Sequence, residues 1–194
     1  MENFEKDILA GMVIAPYLQK ATALRGVKRY VGGNQFRHAF ATLAILIDYH
    51  YMDAVLLKAS VIHDLIEDVK CTSYDEIRAI DKDGQQVLEL VLEVSRRKPE
   101  SKADFLKRIL EEGSDSAKVL KCADRISNLT DLHPDIFDKI YIKNMMADTK
   151  KWVLPMAKQV NKDMLFELED LIKRRESNMK YTSSIWPMKR NDNG

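Results

Sequence analysis

The sequence predicts an all-α protein in which several helices form one compact bundle. Three observations support this fold class. Apolar residues recur at intervals of three and four positions along most of the chain, which is the spacing of a buried helix face. Glycine and proline number only 7 and 5, so the chain offers few of the turns that a many-stranded sheet requires. The 194 residues, 45% apolar and 31% charged, fit one globular domain with a substantial core.

The apolar spacing also predicts where the helices lie. The first is expected over residues 4–24, with Pro16 kinking it or ending its first half. Gly32 and Gly33 break the loop that follows. Two strongly apolar and therefore central helices come next, and five more follow them; the predicted ranges are 36–50, 53–68, 83–95, 102–112, 115–131, 135–158 (kinked at Pro155) and 161–176.

A short helix and the end of the domain are predicted from local signals. Thr72 or Ser73 can serve as the N-cap of a helix that ends near residue 80, and Glu76 stands where the reciprocal capping residue for Ser73 belongs. The domain is expected to span residues 1–177. Residues 178–194 are polar and lack helical period, so we expect a C-terminal tail that is loosely ordered or docked on the body through Ile185–Trp186.

Composition excludes several classes of partner. A net charge of +1 gives no attraction toward DNA, RNA or an anionic membrane surface. No apolar run is long enough to span a bilayer, and acids stand in the opening string MENFEKDILAG where a secretory signal has basic residues. We therefore expect a cytoplasmic protein. Cys71 and Cys122 have no metal-type spacing, and two reduced thiols are favoured over one disulfide.

The string HDLIEDV concentrates ionisable side chains at one point of the chain. It follows the apolar run AVLLKASVI and contains His63, Asp64, Glu67 and Asp68. On a helix, His63 lies one turn from Glu67, and Asp64 lies one turn from Asp68. Burial of one imidazole and three carboxylates is costly unless a divalent cation compensates their charge. The alternative is a solvated acidic helix end beside a core histidine.

Two further residues extend this group. Asp124 follows the apolar stretch in AKVLKCADRISNLTDL, and His38 stands near the start of a buried helix in RHAFATLAIL. The alternatives are an ion pair of Asp124 with Arg125 and a satisfied core histidine at position 38. Together with His63 and Asp64, His38 and Asp124 form a set of nitrogen and oxygen ligands without thiolate. Such a set suits Mn²⁺ or Fe²⁺ and, less decisively, Zn²⁺ or Mg²⁺.

In this order, His38, the His63–Asp64 pair and Asp124 resemble the pattern of the HD superfamily of metal-dependent phosphohydrolases. The finer pattern is similar to the hydrolase domain of RelA/SpoT-type enzymes and their small stand-alone relatives, which remove the 3′-pyrophosphate from the alarmone (p)ppGpp. HDLIEDV is close to the HD-x-x-ED segment of that family, and KCADRISNL to its K-x-ADR-x-x-N-L segment. WVLPMAKQVNKDMLFELEDLIKRR is similar to its downstream run ending in ELEDL. The resemblance covers roughly residues 25–175, most of the chain.

The resemblance implies an HD-domain helix bundle around a central metal ion. The ligands that it implies for Mn²⁺ are His38, His63, Asp64 and Asp124. Glu67 and Asp68 match a catalytic pair that assists attack by water and departure of the ribose oxygen. Independently of the family, crowding of carboxylates raises one pKa, so that one of them can serve as an acid near neutral pH. A solvated pair that supports the ligand helix is the alternative.

Substrate contacts are also implied by the resemblance. Asn128 matches a residue near the ribose and phosphates, and Arg29 matches an arginine close to the purine base. A helix cap and a solvated loop arginine are the alternatives. The basic run Arg96, Arg97 and Lys98, with Lys102, is more often solvated than phosphate-binding. The chain departs from the family around the nucleotide and not among the ligands: Tyr30, Gln35, Ala39 and Asp131 stand where the family has Lys, Tyr, Pro and Thr.

The sequence thus predicts Mn²⁺-dependent hydrolysis of ppGpp and pppGpp to GDP and GTP, with release of pyrophosphate. Two alternatives stay open: an HD-type nucleotidase or phosphatase acting on another nucleotide, and a non-catalytic sensor that binds metal or nucleotide. The Glu67–Asp68 pair argues against the sensor, because a retired site has little reason to keep costly acids. Since the residues after the last predicted helix are too few for a further folded unit, we expect a stand-alone hydrolase.

Overall fold

The computed structural model describes residues 3–185, and this part of the chain consists of helices and the loops between them. Its α-helices are α1 (Asn3–Gly11), α2 (Ala15–Ala21), α3 (Gln35–Asp48), α4 (Ala54–Ile62), α5 (Leu65–Asp68), α6 (Tyr74–Arg78), α7 (Gly84–Val94), α8 (Lys102–Glu112), α9 (Asp115–Thr130), α10 (Lys139–Asp148), α11 (Leu154–Val160) and α12 (Lys162–Ile185). A 3₁₀ helix spans Thr22–Gly26, and a π-helix spans Thr149–Val153. The predicted all-α class is confirmed.

Helix α9 lies at the centre of the bundle. It packs against α3, α4, α7, α8, α11 and α12, and α3 and α4 also pack against each other. Every residue of α4 from Leu56 to Ile62 is buried, so this stretch has no solvent-facing side. A helix that is apolar all round must lie inside a fold. Helix α4 therefore lies in the core, whereas α3 buries one face against α4 and α9.

One charged side chain is enclosed within α4. Lys58 is 2% exposed, and its ammonium lies 2.7 Å from Asp81 Oδ2 and 2.6 Å from Asp83 Oδ2. The Tyr17 hydroxyl donates to the other oxygen of Asp81 at 2.7 Å. A buried ammonium is costly unless it is paired and hydrogen-bonded. The two carboxylates meet that requirement, and the network ties α2 and α4 to the loop before α7.

Each predicted helix that contains a proline is divided. The one expected over residues 4–24 becomes α1 and α2, with Pro16 in the first turn of α2. The one expected over 135–158 becomes α10, the π-helix and α11, with Pro155 in the first turn of α11. Proline has no N–H to donate to a preceding carbonyl, so the α-helical ladder does not continue through either residue.

The helix predicted over residues 53–68 is also divided, by a turn at His63 and Asp64. The Nδ1–H group of His63 donates to the Ser60 carbonyl at 2.7 Å, and the Ser60 hydroxyl donates to the Leu57 carbonyl at 2.8 Å. These side-chain bonds compete with the backbone ladder at the end of α4. The prediction of one continuous helix was wrong here, and His63 and Asp64 lie on a turn between α4 and α5.

The capping signal of the short helix is only half used. The Ser73 hydroxyl oxygen accepts from the Glu76 amide at 3.3 Å and so caps α6. The Glu76 carboxylate does not complete a reciprocal box, because it pairs with Lys20 of α2. The surface ion pair therefore replaces the second capping bond that the sequence predicted.

The C-terminal helix is longer than predicted. Helix α12 continues to Ile185, beyond the domain boundary expected at residue 177. The remainder of the predicted tail, with Trp186, lies outside the described residues. Among the described helices, none combines the length and the apolar composition needed to cross a bilayer.

Candidate metal centre

Four predicted ligand residues converge from separate elements of the fold. His38 is in the first turns of α3, His63 and Asp64 form the turn after α4, and Asp124 lies in the middle of α9. His38, His63 and Asp124 are buried, and each offers a ligand atom within 4.8 Å of those of the other two. The packing of α9 on both α3 and α4 brings them together. This buried group is consistent with a divalent metal site.

The nitrogen and oxygen atoms in this group face one another at short range. His38 Nε2 lies 3.0 Å from Asp124 Oδ1 and 3.7 Å from Asp64 Oδ2. His63 Nε2 lies 3.3 Å from the same oxygen of Asp64 and 3.9 Å from the same oxygen of Asp124. Asp64, with a side chain 20% exposed, stands on the solvent side of the group. The two imidazoles and Asp124 thus face one another, and Asp64 approaches both imidazoles.

The orientation of the imidazoles fits a bound cation. His63 Nδ1 must carry the proton, because its partner is the Ser60 carbonyl oxygen, which only accepts. In its neutral form the ring turns the lone pair of Nε2 toward the carboxylates, and this buried atom has no hydrogen-bond partner. His38 Nδ1 lies 2.9 Å from Ser127 Oγ, a hydroxyl that can either donate or accept. Metal-binding histidines bond a second partner through their other nitrogen in this manner.

The negative charges of Asp64 and Asp124 make this group a favourable place for a cation. Burial would lower the pKa of His63, but the negative charges of Asp64 and Asp124 outweigh it and raise that pKa to about 9. Burial would raise the pKa of Asp124, but Lys121 and the two histidines hold it well below its ordinary value. A positive charge between the imidazoles and the carboxylates is therefore strongly favoured, whether a proton or a metal ion supplies it.

Lys121 is a neighbour to which sequence reasoning gave no role. Its ammonium lies 2.7 Å from Asp124 Oδ2, the oxygen that faces away from the histidines, and 5.0 Å from the centre of the Phe105 ring. The side chain is 15% exposed. The sequence feature that could have revealed this contact is the position of Lys121 three residues before Asp124, which puts both residues on one face of α9.

The proposed catalytic pair lies beside the metal group on α5. Glu67 Oε1 accepts from the Arg96 amide at 2.9 Å, and Asp68 Oδ2 accepts from Gln35 Nε2 at 2.9 Å. Both carboxylates reach solvent, yet partial removal of water raises the pKa of each, and the charge of Asp64 adds to the effect. The upward shift predicted for one member is found for both, and its main cause is desolvation and not mutual crowding.

A cavity of about 290 Å³ opens next to Asp68. Arg29 and Asn128, the predicted substrate contacts, lie on its wall together with Gln35 and Asp131. Three aromatic rings stack along the same wall, with centroids 5.3 Å apart for Tyr30–Phe137 and 4.8 Å apart for Phe137–Tyr141. The cavity thus joins flat apolar surfaces to polar groups beside the metal group.

The predicted basic run is divided between two places. Arg96, Arg97 and Lys98 line a second groove, of about 980 Å³, which begins at Glu67. Lys102 instead forms an ion pair with Asp148 of α10 at 2.9 Å. Each cavity is therefore lined by one residue of the proposed catalytic pair: Asp68 lines the smaller cavity and Glu67 lines the larger groove.

No protein-family model matches the chain, and no curated protein matches it. Among solved structures, it is similar to one described as a metazoan ortholog of SpoT that hydrolyses ppGpp and plays a role in starvation responses. The TM-score is 0.72 at 24% sequence identity, and the match covers 84% of this chain and 94% of the other. The likeness shows that this chain shares the all-helical fold of that protein, and the His38, His63 and Asp124 group is buried inside it.

Proposed function

We propose that this protein is a metal-dependent phosphohydrolase that removes pyrophosphate from the 3′ position of guanosine alarmones, with Mn²⁺ as its cofactor. The observation that carries the proposal is the buried convergence of His38, His63 and Asp124, in which His63 Nε2 has no hydrogen-bond partner. Asp64 approaches both imidazoles from the solvent side. The fold likeness to a structure described as hydrolysing ppGpp supports the substrate class.

The donor set would hold the cation through His38, His63, Asp64 and Asp124. When bound, a divalent ion supplies a more acidic water and polarises a phosphoryl oxygen. Glu67 and Asp68 then handle protons. A carboxyl group with a raised pKa holds a proton closer to neutral pH, so one of them can protonate the departing ribose oxygen while the other accepts a proton from water.

The cavity next to Asp68 is the proposed nucleotide site. Arg29 Nε is buried without a hydrogen-bond partner, and that N–H group is free for a ligand. Asn128 lies between this wall and the metal group, where ribose or phosphate oxygens would pass. The exposed ring of Tyr30, at the end of the aromatic stack, offers a face to a nucleobase.

A second candidate is hydrolysis of another nucleotide by the same centre. The observation that favours it is the ion pair between Arg29 and Asp131, 3.3 Å long, on the cavity wall. Asp131 stands where the family has threonine, and its negative charge occupies part of the polar surface available to a base or a phosphate. A different base or phosphate pattern would suit that wall.

The test is to incubate the purified, Mn²⁺-loaded protein with ppGpp and with ordinary nucleotides and to identify the released species. Pyrophosphate release from ppGpp, abolished in His63→Ala and in Asp64→Ala, is the expected result. His133→Ala is the matched control, because this histidine is exposed and lies outside the metal group. Orthophosphate release from another nucleotide, with ppGpp left intact, would favour the second candidate.

A further inference from the structure

A chain of hydrogen bonds crosses the wall of the smaller cavity and joins the two carboxylate ligands. From Arg29, Nη1 donates to Gln35 Oε1 at 2.8 Å and Nη2 donates to Asn128 Oδ1 at 3.1 Å. Gln35 Nε2 then donates to Asp64 Oδ2 at 3.0 Å. Asn128 Nδ2 donates to Asp124 Oδ1 at 2.6 Å. One guanidinium thus reaches both carboxylates through two amides.

Every bond in this chain points the same way, from the cation toward the carboxylates. Each amide accepts from Arg29 with its carbonyl oxygen and donates with its NH₂ group, so neither amide can be turned over without losing all of its bonds in the chain. The charged end of the chain is a guanidinium, a group that stays protonated in proteins. Hydrogen bonds in series with a charged end polarise one another, which strengthens those at the carboxylates.

Gln35 is the branch point of the chain. An amide has two N–H groups, and those of Gln35 serve Asp64 Oδ2 and Asp68 Oδ2, at 3.0 Å and 2.9 Å. The same side chain therefore holds a proposed metal ligand and a proposed catalytic residue. Three side chains of the described residues bring a nitrogen near Asp64 Oδ2: His38, His63 and Gln35. Gln35 is the one of the three that is not an imidazole. The tyrosine that the related family has at this position carries a single O–H, which can serve only one carboxylate.

The backbone around the chain is built to hold it. Gln35 is the first residue of α3, which is capped by Asn34 through a bond to the Arg37 amide at 3.0 Å. The Arg29 amide donates to the Gly33 carbonyl at 3.2 Å, closing a tight loop in which Gly33 has a φ of 72°. A residue with a side chain adopts that φ only at a cost. Arg29 and Gln35 are thereby fixed to each other before either meets a ligand.

We infer that Gln35 is a positioning residue of the metal centre, and that Arg29 and Asn128 complete the device that fixes the two carboxylates relative to each other. This inference rests on the proposed function, because it assigns the carboxylates to a divalent cation. Asp64 lies on a two-residue turn with one face toward solvent, so its carboxylate depends on a neighbour for its orientation. Loss of groups that orient metal ligands lowers metal affinity about 10–100-fold.

The experiment measures Mn²⁺ affinity by titration calorimetry, without substrate, in the wild type and in Gln35→Met and Gln35→Tyr. Methionine keeps the length of the side chain and removes both donors; tyrosine retains one. We expect the dissociation constant to rise about tenfold or more in Gln35→Met and by a smaller factor in Gln35→Tyr. The melting temperature of the metal-free protein should change little, because residue 35 is only partly buried.

Gln85→Met is the matched control. Its Nε2 also donates to a carboxylate, that of Glu89 at 2.6 Å, but on an exposed face of α7. The control should bind Mn²⁺ as the wild type does. An unchanged dissociation constant in Gln35→Met would overturn the inference, and so would an equal loss in Gln85→Met. If Gln35→Met does not fold, wild-type affinity in Gln35→Tyr overturns it on its own.

The result also separates this inference from the proposed function. A wild-type protein that binds no divalent cation overturns both. A wild-type protein that binds Mn²⁺ but cleaves no nucleotide overturns the proposed function alone, and the affinities of the Gln35 variants still decide the role of Gln35.

Discussion

At the scale of single residues, the chemistry depends on which atom carries a proton. His63 has its Nδ1 proton fixed by the Ser60 carbonyl, and the carboxylates around Nε2 raise the pKa of the ring to about 9 when no metal is bound. At neutral pH the metal-free ring is therefore protonated on both nitrogens. A metal ion and this second proton compete for the same lone pair.

This competition predicts that Mn²⁺ binding releases a proton. Titration calorimetry at pH 7.5 in buffers of different ionisation enthalpy should report close to one proton released for each ion bound, with affinity rising as the pH approaches 9. In the metal-free protein, a rise in pH has the opposite effect: it lowers the stability of the fold. The raised pKa stabilises the fold below the unfolded value of about 6.5, and this contribution is lost as the pH rises through 9. Binding without proton release would contradict the account.

The proposed catalytic pair gives a second prediction. Glu67→Gln and Asp68→Asn should each lower kcat about 10²–10⁴-fold, because a neutral amide cannot transfer the proton. Mn²⁺ affinity should remain within a few-fold of the wild type, since neither carboxylate contacts the two histidines closely enough to join the metal group. Glu89→Gln, in the lining of the same groove as Glu67, is the control for kcat. Full activity in both variants would remove the pair from the mechanism.

Residue types and spacing left a core histidine and a surface ion pair open as alternatives, and the family resemblance selected the metal group. The fold brings three of the predicted ligands, His38, His63 and Asp124, together. Gln35 and Lys121 were missed as contributors. Glutamine and lysine are common on surfaces, and their roles here depend on partners such as Asp64 and Asp124 that only the fold brings near. The contacts of Arg29 also depend on the loop conformation, which sequence patterns do not give.

At the scale of helices, interruptions matter more than lengths. The apolar period predicted the central helices, but it could not show that α4 stops at Ile62, because the break comes from a side chain bonding its own backbone. The sequence also does not show the π-helix at Thr149–Val153, because the apolar spacing on either side of it is that of one continuous α-helix. The break after α4 has a consequence for the site: it turns His63 and Asp64 toward the same point.

The buried lysine of α4 gives a prediction at this scale. Lys58→Met removes the ammonium that Asp81 and Asp83 share, and it should lower the free energy of unfolding by about 3–5 kcal/mol, as loss of one partner of a buried pair does. Lys107→Met is the control, because the ammonium lies 3.8 Å from Glu111 with both side chains 54% exposed, and it should change stability by less than about 1 kcal/mol. Denaturant unfolding measures both.

The network of Lys58, Asp81 and Tyr17 also makes the stability of the fold depend on pH in acid. Burial would raise the pKa of Asp81, but bonds from Lys58 and Tyr17 hold it below its ordinary value. A carboxylate with a depressed pKa stabilises the fold above its unfolded pKa, and the contribution is lost as the pH falls through the folded value. The stability difference between the wild type and Asp81→Asn should therefore shrink below about pH 4. A difference that stays constant down to the acid limit would contradict this assignment.

At the scale of the whole molecule, the metal group joins helices that are far apart in the sequence. Its ligands come from α3, from the turn after α4 and from α9, the helix that packs against most of the others. A cation bound at this point would link the central helices, so metal binding and folding should be coupled. The all-helical class and the approximate helix order followed from the sequence, whereas the arrangement of α9 among its neighbours did not.

The most direct measurement is anomalous diffraction from a crystal of the protein grown with Mn²⁺. We predict one strong peak within coordination distance of His38 Nε2, His63 Nε2 and the carboxylates of Asp64 and Asp124. A crystal that binds Mn²⁺ elsewhere, and shows no peak between these four side chains, would contradict it.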